Sequence, residues 1–517
     1  MPQPLSDSLK KIARGTSVAL VGTFVALLLG FAIRLIIARY GSEADYGTYS
    51  LAIVIMVFAT TLVSLGLPDG VTRFIAFFRG RGETDKVRGV TSVSLQLSTI
   101  ASVIVSLVLF FGADFLAINI FHTADLARAL KIFAFGIPFY TLINVLVSIF
   151  RGYDTMEPQA YFQYVLFNVL FLLLVGVLAV LHLPFSDLFY AYVAALILTF
   201  VALVAYTVKK LPQPVKVSGW QADASVRKEL LAFSLPLYAT ALLSTVVLWS
   251  DTLLLGYFKT PDVVGLYNAA SPLARFISDP LALMLLIYTP VVTGLYSKNL
   301  MDELRRSFVI STKWIVSLTL PFFLVLVMFP EAALNLFFGP TYMAAAPALR
   351  VLAIGFIISN CFGPNQSLIL AVGKSPFIMW SVLIGVVVSL GLNLILIPHL
   401  GLLGAAITMA VSVNLVKAII AVKAYSICRA QPLSKNLLKP VLVSVALAFL
   451  FKLVADHFIA VNWWILPLLF ILYYVIYGVA VVLTRSFDRE DVSLLLDIEK
   501  ISGINAAPIK RILSRFV

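Results

Sequence analysis

The stretch GFAIRLIIARYGSEADYGTYSLA, Gly30 to Ala52, closes one long apolar run and opens the next. Arg34 lies inside the first run, about six residues before its end near Tyr40, which is roughly 9 Å at 1.5 Å per helical residue. An ionisable side chain at that depth is costly in hydrocarbon, so Arg34 is a candidate functional residue. Its guanidinium either extends to the outer membrane interface or lines a water-filled cavity.

A related stretch, TLLLGYFKTPDVVGLYNAA from Thr252 to Ala270, follows 218 positions later and aligns Gly47 with Gly265. The same offset aligns Pro158 with Pro376. This internal repeat predicts two halves of six spans each. Because six is an even number, the halves share one orientation, as expected for a pseudo-twofold axis along the membrane normal.

The composition is that of a membrane protein. Of the 517 residues, 61% are hydrophobic and 12% are charged, and the mean hydropathy is +1.01. The net charge of +13 is dispersed over short loops, which argues against nucleic acid as a partner. Cys361 and Cys428 give neither a disulfide framework nor a metal-binding spacing. The first apolar run is too long for a signal peptide and is expected to stay as a span.

Apolar segments of about 18 to 28 residues predict about fourteen transmembrane helices. Lysine and arginine cluster in alternate loops, including Lys298 to Lys313 and Lys417 to Lys439, so both termini are predicted to be cytoplasmic in a plasma-membrane protein. The predicted spans lie near residues 16–38, 47–68, 90–112, 128–150, 161–182, 186–208, 231–257, 264–292, 308–329, 346–371, 377–397, 402–427, 440–459 and 463–484.

The predicted fold class is therefore an all-α polytopic membrane protein with about 14 transmembrane helices, arranged as two six-helix pseudo-symmetric lobes plus a C-terminal helix pair. The tail is expected to form an amphipathic helix, either at the membrane interface or packed on the cytoplasmic loops. The predicted parts are an N-terminal lobe (1–209), a cytoplasmic linker (210–229), a C-terminal lobe (230–429), the last helix pair (430–484) and a cytoplasmic amphipathic tail (485–517).

Several further charged side chains fall within the predicted spans. Asp251 lies at nearly the depth of Arg34 in the other half of the repeat, either as the partner of a neighbouring arginine or as part of the same site. Arg275 is near the midplane of the eighth span, and Asp279 follows four positions later, so an intrahelical ion pair is the alternative to a binding role. For Asp69 and Arg73, which have the same spacing near the cytoplasm, a structural role is favoured.

Polar residues in two other spans are weaker candidates. Asn144 lies in a polar stripe on the fourth span, and Asn360 precedes Gly363-Pro364, which marks a candidate helix break of the kind that lines transporter cavities. Hydrogen bonding between helices is the alternative for both. The candidate substrate-binding residues are Arg34, Arg275, Asp251, Asp279, Arg73, Asp69, Asn144 and Asn360.

The sequence contains no glycine-rich phosphate loop with a lysine, and the predicted outer loops are about 16 residues or shorter. A membrane enzyme would need a larger loop with carboxylates or histidines, whereas the four histidines here are scattered at outer span ends. The chain is therefore predicted not to be an enzyme and to have no catalytic residue, metal or cofactor.

Three segments resemble the recurrent segments of the polysaccharide-type lipid-linked oligosaccharide flippases, in the superfamily that also contains multidrug extruders and lipid II flippases. The resemblance implies two lobes around a cationic cavity that opens alternately to each side of the membrane. Extruders usually have an aspartate in the first helix, where this chain has Arg34, which argues against a drug antiporter. The segments are ARYGSEADYGTYSLA (38–52), WSDTLLLGYFKTPDVVGLYNAASPLA (249–274), and LAVGKSP (370–376) followed by LNLILIPHLGLLGAAITMAVS (392–412).

The resemblance implies a lipid-linked oligosaccharide on a polyprenyl or dolichyl phosphate or pyrophosphate as substrate, with membrane lipids and other glycan-assembly proteins as further candidate partners. Neither the anionic phosphate nor the sugar hydroxyls cross about 30 Å of hydrocarbon unaided, and arginine binds such anions through two hydrogen bonds. The alternatives are a cation-coupled multidrug exporter, a lipid II flippase, and a membrane enzyme or scaffold of envelope synthesis.

The predicted topology places Leu300 in the cytoplasm and Thr260 outside. In a chain with Cys361 and Cys428 replaced by serine, a cysteine at position 260 should react with an impermeant maleimide on intact cells. A cysteine at position 300 should react only after permeabilisation. The opposite pattern at either position would show that the topology is wrong.

Overall fold

The computed structural model describes residues 3–211, 224–429, 431, 435–458 and 464–484. All regular secondary structure in these ranges is helical, and twelve helical segments are long and apolar enough to cross a membrane. The all-α polytopic fold is thereby confirmed, while the count of fourteen stays a prediction. The two predicted spans outside the twelve are the eighth, which forms two shorter helices, and the thirteenth, which is the helix Lys435–Phe458.

The α-helices follow one another with short connections, and π-helical turns at Leu116–Ile120 and Gln159–Leu166 extend two of them. Their bounds are α1 Gln3–Tyr40, α2 Glu43–Ser64, α3 Leu67–Gly80, α4 Thr84–Phe115, α5 Ala124–Gly152, α6 Phe167–Val180, α7 Asp187–Lys210, α8 Ala224–Phe258, α9 Pro261–Arg275, α10 Asp279–Ser297, α11 Met301–Met328, α12 Pro330–Phe337, α13 Ala346–Cys361, α14 Asn365–Ala371, α15 Ser375–Leu400, α16 Leu402–Cys428, α17 Lys435–Phe458 and α18 Leu466–Leu483.

The chain divides into two compact units. The N-terminal unit is Ser17–Gly265, and the C-terminal unit is Leu266–Val517 together with Met1–Thr16. In this division α8 belongs with the helices before it. The predicted lobes, 1–209 and 230–429, rest on the sequence repeat and stay a prediction, and the predicted tail, 485–517, lies outside the described residues.

The second span of the N-terminal unit is a broken helix. Ser42 begins it with a capping box, since its hydroxyl accepts from the backbone of Asp45 and the Asp45 carboxylate accepts in return. The helix stops at Leu65 and Gly66, which both have positive φ, and resumes at Leu67. The span therefore continues past residue 68, the end predicted for it, as far as Gly80.

The two glycines that the repeat aligns pack against each other in the N-terminal unit. A Cβ at Gly47 would collide with the carbonyl oxygen of Pro261 and lie 2.9 Å from the backbone nitrogen of Gly265. A Cβ at Gly265 would collide with the carbonyl oxygen of Glu43 and lie 3.1 Å from the nitrogen of Gly47. The first turns of α2 and α9 therefore meet backbone to backbone, which only glycine allows at both positions.

The C-terminal unit has two broken spans. The eighth stops at Arg275 and resumes at Asp279, so the expectation of one continuous helix over 264–292 is wrong. The tenth stops at Cys361 and resumes at Asn365, which confirms the break predicted there. An apolar cluster packs α10, α11, α14 and α16 together. Its buried members are Tyr288, Val292, Leu304, Phe308, Leu368, Ile369, Ile420, Ala424 and Cys428.

Gly47→Ala should destabilise the protein, because the added methyl group meets a backbone oxygen that cannot move without shifting a helix. The expected loss is about 1–3 kcal/mol, seen as a lower midpoint of thermal unfolding in detergent. Gly112→Ala is the matched control, since a Cβ there has no neighbour within 4 Å and alanine favours the helix. Equal midpoints for the two variants would contradict the close helix contact.

Candidate functional site

Arg34 lies on the protein-facing side of α1. Ile37 and Ala38, three and four residues further on, are completely buried, so the intervening face points into the N-terminal unit. The buried side chains of Tyr46 and Tyr49 in α2 lie close enough to Arg34 to interact electrostatically with its guanidinium. Among the described residues, no carboxylate lies within 4 Å of its guanidinium. The arginine is therefore a cation inside the N-terminal unit rather than half of an ion pair.

Asp251 is buried in α8, with 3% of its surface exposed. Its Oδ1 accepts a hydrogen bond of 2.8 Å from the backbone N–H of Thr252. It forms no ion pair with Arg34 in the structure. The two residues that the repeat places at similar depth are thus not each other's partners here.

Asp69 and Arg73 belong to α3 but do not pair with each other. Asp69 lies 3.8 Å from the guanidinium of Arg151 at the end of α5. The guanidinium of Arg73 lies 4.0 Å from the ring centroid of Phe233 in α8 and 5.6 Å from that of Phe74. Both side chains therefore attach α3 to neighbouring helices, and Asp69, which is 69% exposed, contributes little stability there.

Arg79, in the last turn of α3, lies beside two residues that follow α5. It forms an ion pair with Asp154 and lies 5.6 Å from the ring centroid of Tyr153. Burial raises the pKa of the Tyr153 phenol, and the nearby Arg79 acts in the opposite direction.

Asn144 forms hydrogen bonds within α5 and to one neighbouring helical segment. Its Nδ2 donates to the carbonyl of Tyr140 at 3.0 Å, and its Oδ1 accepts from Gln163 of the π-helical turn at 2.8 Å. One turn further on, Ser148 donates to the carbonyl of Asn144 at 2.7 Å. The bond to Gln163 joins two helical segments, which is the kind of contact expected for hydrogen bonding between helices.

Arg275 and Asp279 lie on opposite sides of the break in the eighth span. Arg275 is the last residue of α9, where a cation interacts favourably with the helix dipole, and Asp279 is in the first turn of α10, where an anion does. Nε of Arg275 donates to Ser271 Oγ at 3.4 Å. The intervening residues form a turn in which the N–H of Ser278 donates to the carbonyl of Arg275.

Asn360 connects the break in the eighth span to two other helices. Its Nδ2 donates to the carbonyl of Ile277, inside that break, at 2.7 Å and to Thr319 Oγ1 of α11 at 3.2 Å. The side chain is completely buried, and its Oδ1 has no hydrogen-bond partner. Asn360 thus supplies a donor to a carbonyl that lies outside both flanking helices.

Two intramembrane cations were missed by the sequence analysis. Lys313 and Lys417 were assigned to basic loops, but they lie inside α11 and α16, 12 and 11 residues from the nearer helix ends (313 − 301 and 428 − 417). Lys313 is buried with 4% exposure, and Lys417 is partly buried. Their distance from the helix ends, about 16 to 18 Å, was the available clue.

Residues 12–296, more than half of the chain, match the family model described as polysaccharide biosynthesis protein. The chain belongs to this family. The resemblance seen in the sequence segments is thereby confirmed, and the protein is a multi-pass membrane protein.

Named relatives share most of the length of the chain. Stage V sporulation protein B of Bacillus subtilis is 23% identical over 78% of this chain and 81% of its own length. A putative O-antigen transporter of Shigella flexneri is 24% identical over 76% of this chain and 92% of its own length. The solved structure of lipid II flippase MurJ in an inward closed conformation matches with a TM-score of 0.68, 17% identity, and coverage of 89% of this chain and 97% of that one. The structural match establishes the fold.

Asn360→Ala should destabilise the C-terminal unit by about 1–3 kcal/mol, because the Ile277 carbonyl would lose its donor within the membrane. Asn414→Ala is the matched control. Its Nδ2 donates to the carbonyl of Gly355 at 2.8 Å, and that carbonyl belongs to the regular helix α13. Thermal unfolding in detergent should show the larger loss for Asn360→Ala. Equal losses would mean that the break does not depend on the amide.

Proposed function

We propose that this protein is a flippase for lipid-linked oligosaccharide, carried on a polyprenyl or dolichyl phosphate or pyrophosphate. It moves this substrate from the cytoplasmic to the outer leaflet of the plasma membrane by alternating access, with both termini in the cytoplasm. The observation that carries the proposal is Arg34: a guanidinium on the buried face of a membrane helix, without a carboxylate partner among the described residues, in a chain of the polysaccharide biosynthesis family.

A fixed cation in a membrane span suits an anionic substrate. Arginine keeps its charge in all physiological conditions and offers a planar fork that matches phosphate oxygens. The names of the relatives, an O-antigen transporter and a lipid II flippase, point to lipid-linked envelope precursors as the substrate class. Translocation needs no covalent chemistry, so the polar residues act by binding and release.

In this proposal Arg34 and Arg275 are the candidate ligands of the substrate phosphate. The position of Arg275 at a helix break supports its role, since broken helices commonly form transporter binding sites. Asp251 and Asp279 are assigned to balance charge while no substrate is bound. Membrane lipids and other glycan-assembly proteins are the remaining proposed partners.

Arg275→Ala should abolish export of lipid-linked glycan at normal surface expression, and Arg275→Lys should restore only part of it, because lysine lacks the planar fork. Arg34→Ala should have the milder effect, since Arg34 is close to one helix end and contacts the substrate only in the outward stage. The measurement is a glycan-export complementation assay in cells that lack their own flippase, with surface expression measured in parallel.

Arg350→Ala is the matched control for loss of an arginine from the C-terminal unit. Arg350 is paired with Glu331 at 2.9 Å, so its removal should affect stability but not export. Full export by Arg275→Ala at normal expression would reduce Arg275 to a residue that caps the end of α9. The flippase proposal would then rest on Arg34 and the family.

A further inference from the structure

Lys417 is a basic residue inside a membrane span that none of the roles above uses. It lies 11 residues before α16 ends at Cys428 (428 − 417 = 11). This is about 16 Å along the helix axis, whereas a lysine side chain is about 6 Å long. Its ammonium therefore does not reach that end of the helix by extending along it.

The face of α16 that carries Lys417 points into the C-terminal unit. Three and seven residues further on, Ile420 and Ala424 are buried in the apolar cluster with α10, α11 and α14. Seven residues earlier, Ala410 packs so closely on α13 that a Cβ at Gly355 would lie 2.5 Å from its Cβ. Residues spaced by three, four or seven share one side of a helix. Lys417 is thus on the inward side of α16.

Along the axis of α16, Lys417 lies between the residues that contact α13 and those that contact α14, the two helices on either side of the break in the tenth span. Between these helices the chain passes through Gly363, which has a φ of +67°. A Cβ there would collide with Thr312 Oγ1 of α11, so the break is packed against α11 as well. Lys417 therefore lies at the level of this break along α16.

Among the described residues, no carboxylate lies within 4 Å of the Lys417 ammonium, and no hydrogen bond to it is formed. Its side chain remains partly accessible although its helix face is interior. Helix α14 has no titratable side chain. The other helices that pack in this part of the unit carry titratable side chains that include Cys361 of α13, Tyr288 and Asp279 of α10, Lys313 of α11 and His399 of α15.

An ammonium without a counter-charge is costly in such surroundings, and the loss of its proton removes the cost. A nearby anion shifts the equilibrium between amine and ammonium towards the ammonium, because an opposite charge favours the protonated form. A guanidinium cannot respond in this way, since it keeps its proton. Lysine at this position can therefore change charge when an anion arrives or leaves.

We propose that Lys417 is a proton-switched anion site at the break in the tenth span. It takes up one proton from water when the phosphate group of the substrate binds, and it returns that proton to water when the substrate leaves. The identity of the substrate rests on the proposed flippase function.

The test is isothermal titration of inorganic pyrophosphate into the purified full-length protein at pH 7, in buffers of different ionisation enthalpy. The wild type should bind and take up about one proton per anion, seen as a buffer-dependent heat. Lys417→Arg should bind without proton uptake. Lys417→Met should bind about tenfold more weakly or worse, because a charge-assisted hydrogen bond is lost.

Lys423→Met is the matched control on the same helix. Lys423 lies 5.6 Å from the ring centroid of Phe377, and its replacement should leave both affinity and proton uptake as in the wild type. Thermal unfolding of each variant identifies a folding defect, and the proton measurement on Lys417→Arg does not depend on the methionine variant. Absence of pyrophosphate binding, binding without proton uptake in the wild type, or unchanged uptake in Lys417→Arg would each overturn the inference. The export assay on Arg275→Ala and Arg34→Ala tests the flippase proposal separately.

Discussion

Backbone polar groups inside a membrane have no water to bond with, so every interruption of a helix needs a partner from elsewhere in the fold. This constraint governs the breaks in both units. In the N-terminal unit, Gly66 turns the chain with φ of +68°, and a Cβ there would collide with the carbonyl oxygen of Ser234. In the C-terminal unit, the carbonyl of Ile277 accepts from the amide of Asn360. Glycine supplies space at one break, and an amide supplies a donor at another.

One of the three breaks was predicted from the sequence, and the break in the eighth span was overlooked for a physical reason. Gly363-Pro364 disrupts a helix locally, so that break could be predicted. The break at residues 276–278 lies in an apolar stretch whose length alone suggested one span. Yet Ser278-Asp279-Pro280 is a helix start, with an acidic residue and a proline in the first turn. Hydropathy shows which residues favour the lipid interior, but it does not show where the backbone hydrogen bonds of one helix end and those of the next begin.

The partners of the candidate residues were harder to predict than their positions. The spacing of Asp69 and Arg73 suits a pair on one helix, but Arg151 and Phe233 from other helices lie against them instead. A helical spacing states which neighbours are available, whereas tertiary packing decides which are used. Lys417 was missed because a count of basic loops assigned it to the cytoplasm, although α16 continues for 11 residues beyond it (428 − 417).

The proposed mechanism needs two kinds of cation because a transporter must release what it binds. A site built from arginine alone holds an anion equally well at every stage, since a guanidinium does not lose its proton. Release then requires that the arginine move away or that a carboxylate take the place of the substrate. A lysine without a counter-charge offers a third route, because it can discharge as the anion leaves and so weakens rebinding. In the proposed mechanism Arg34 supplies a charge that does not change, and Lys417 supplies a charge that is lost when the anion leaves.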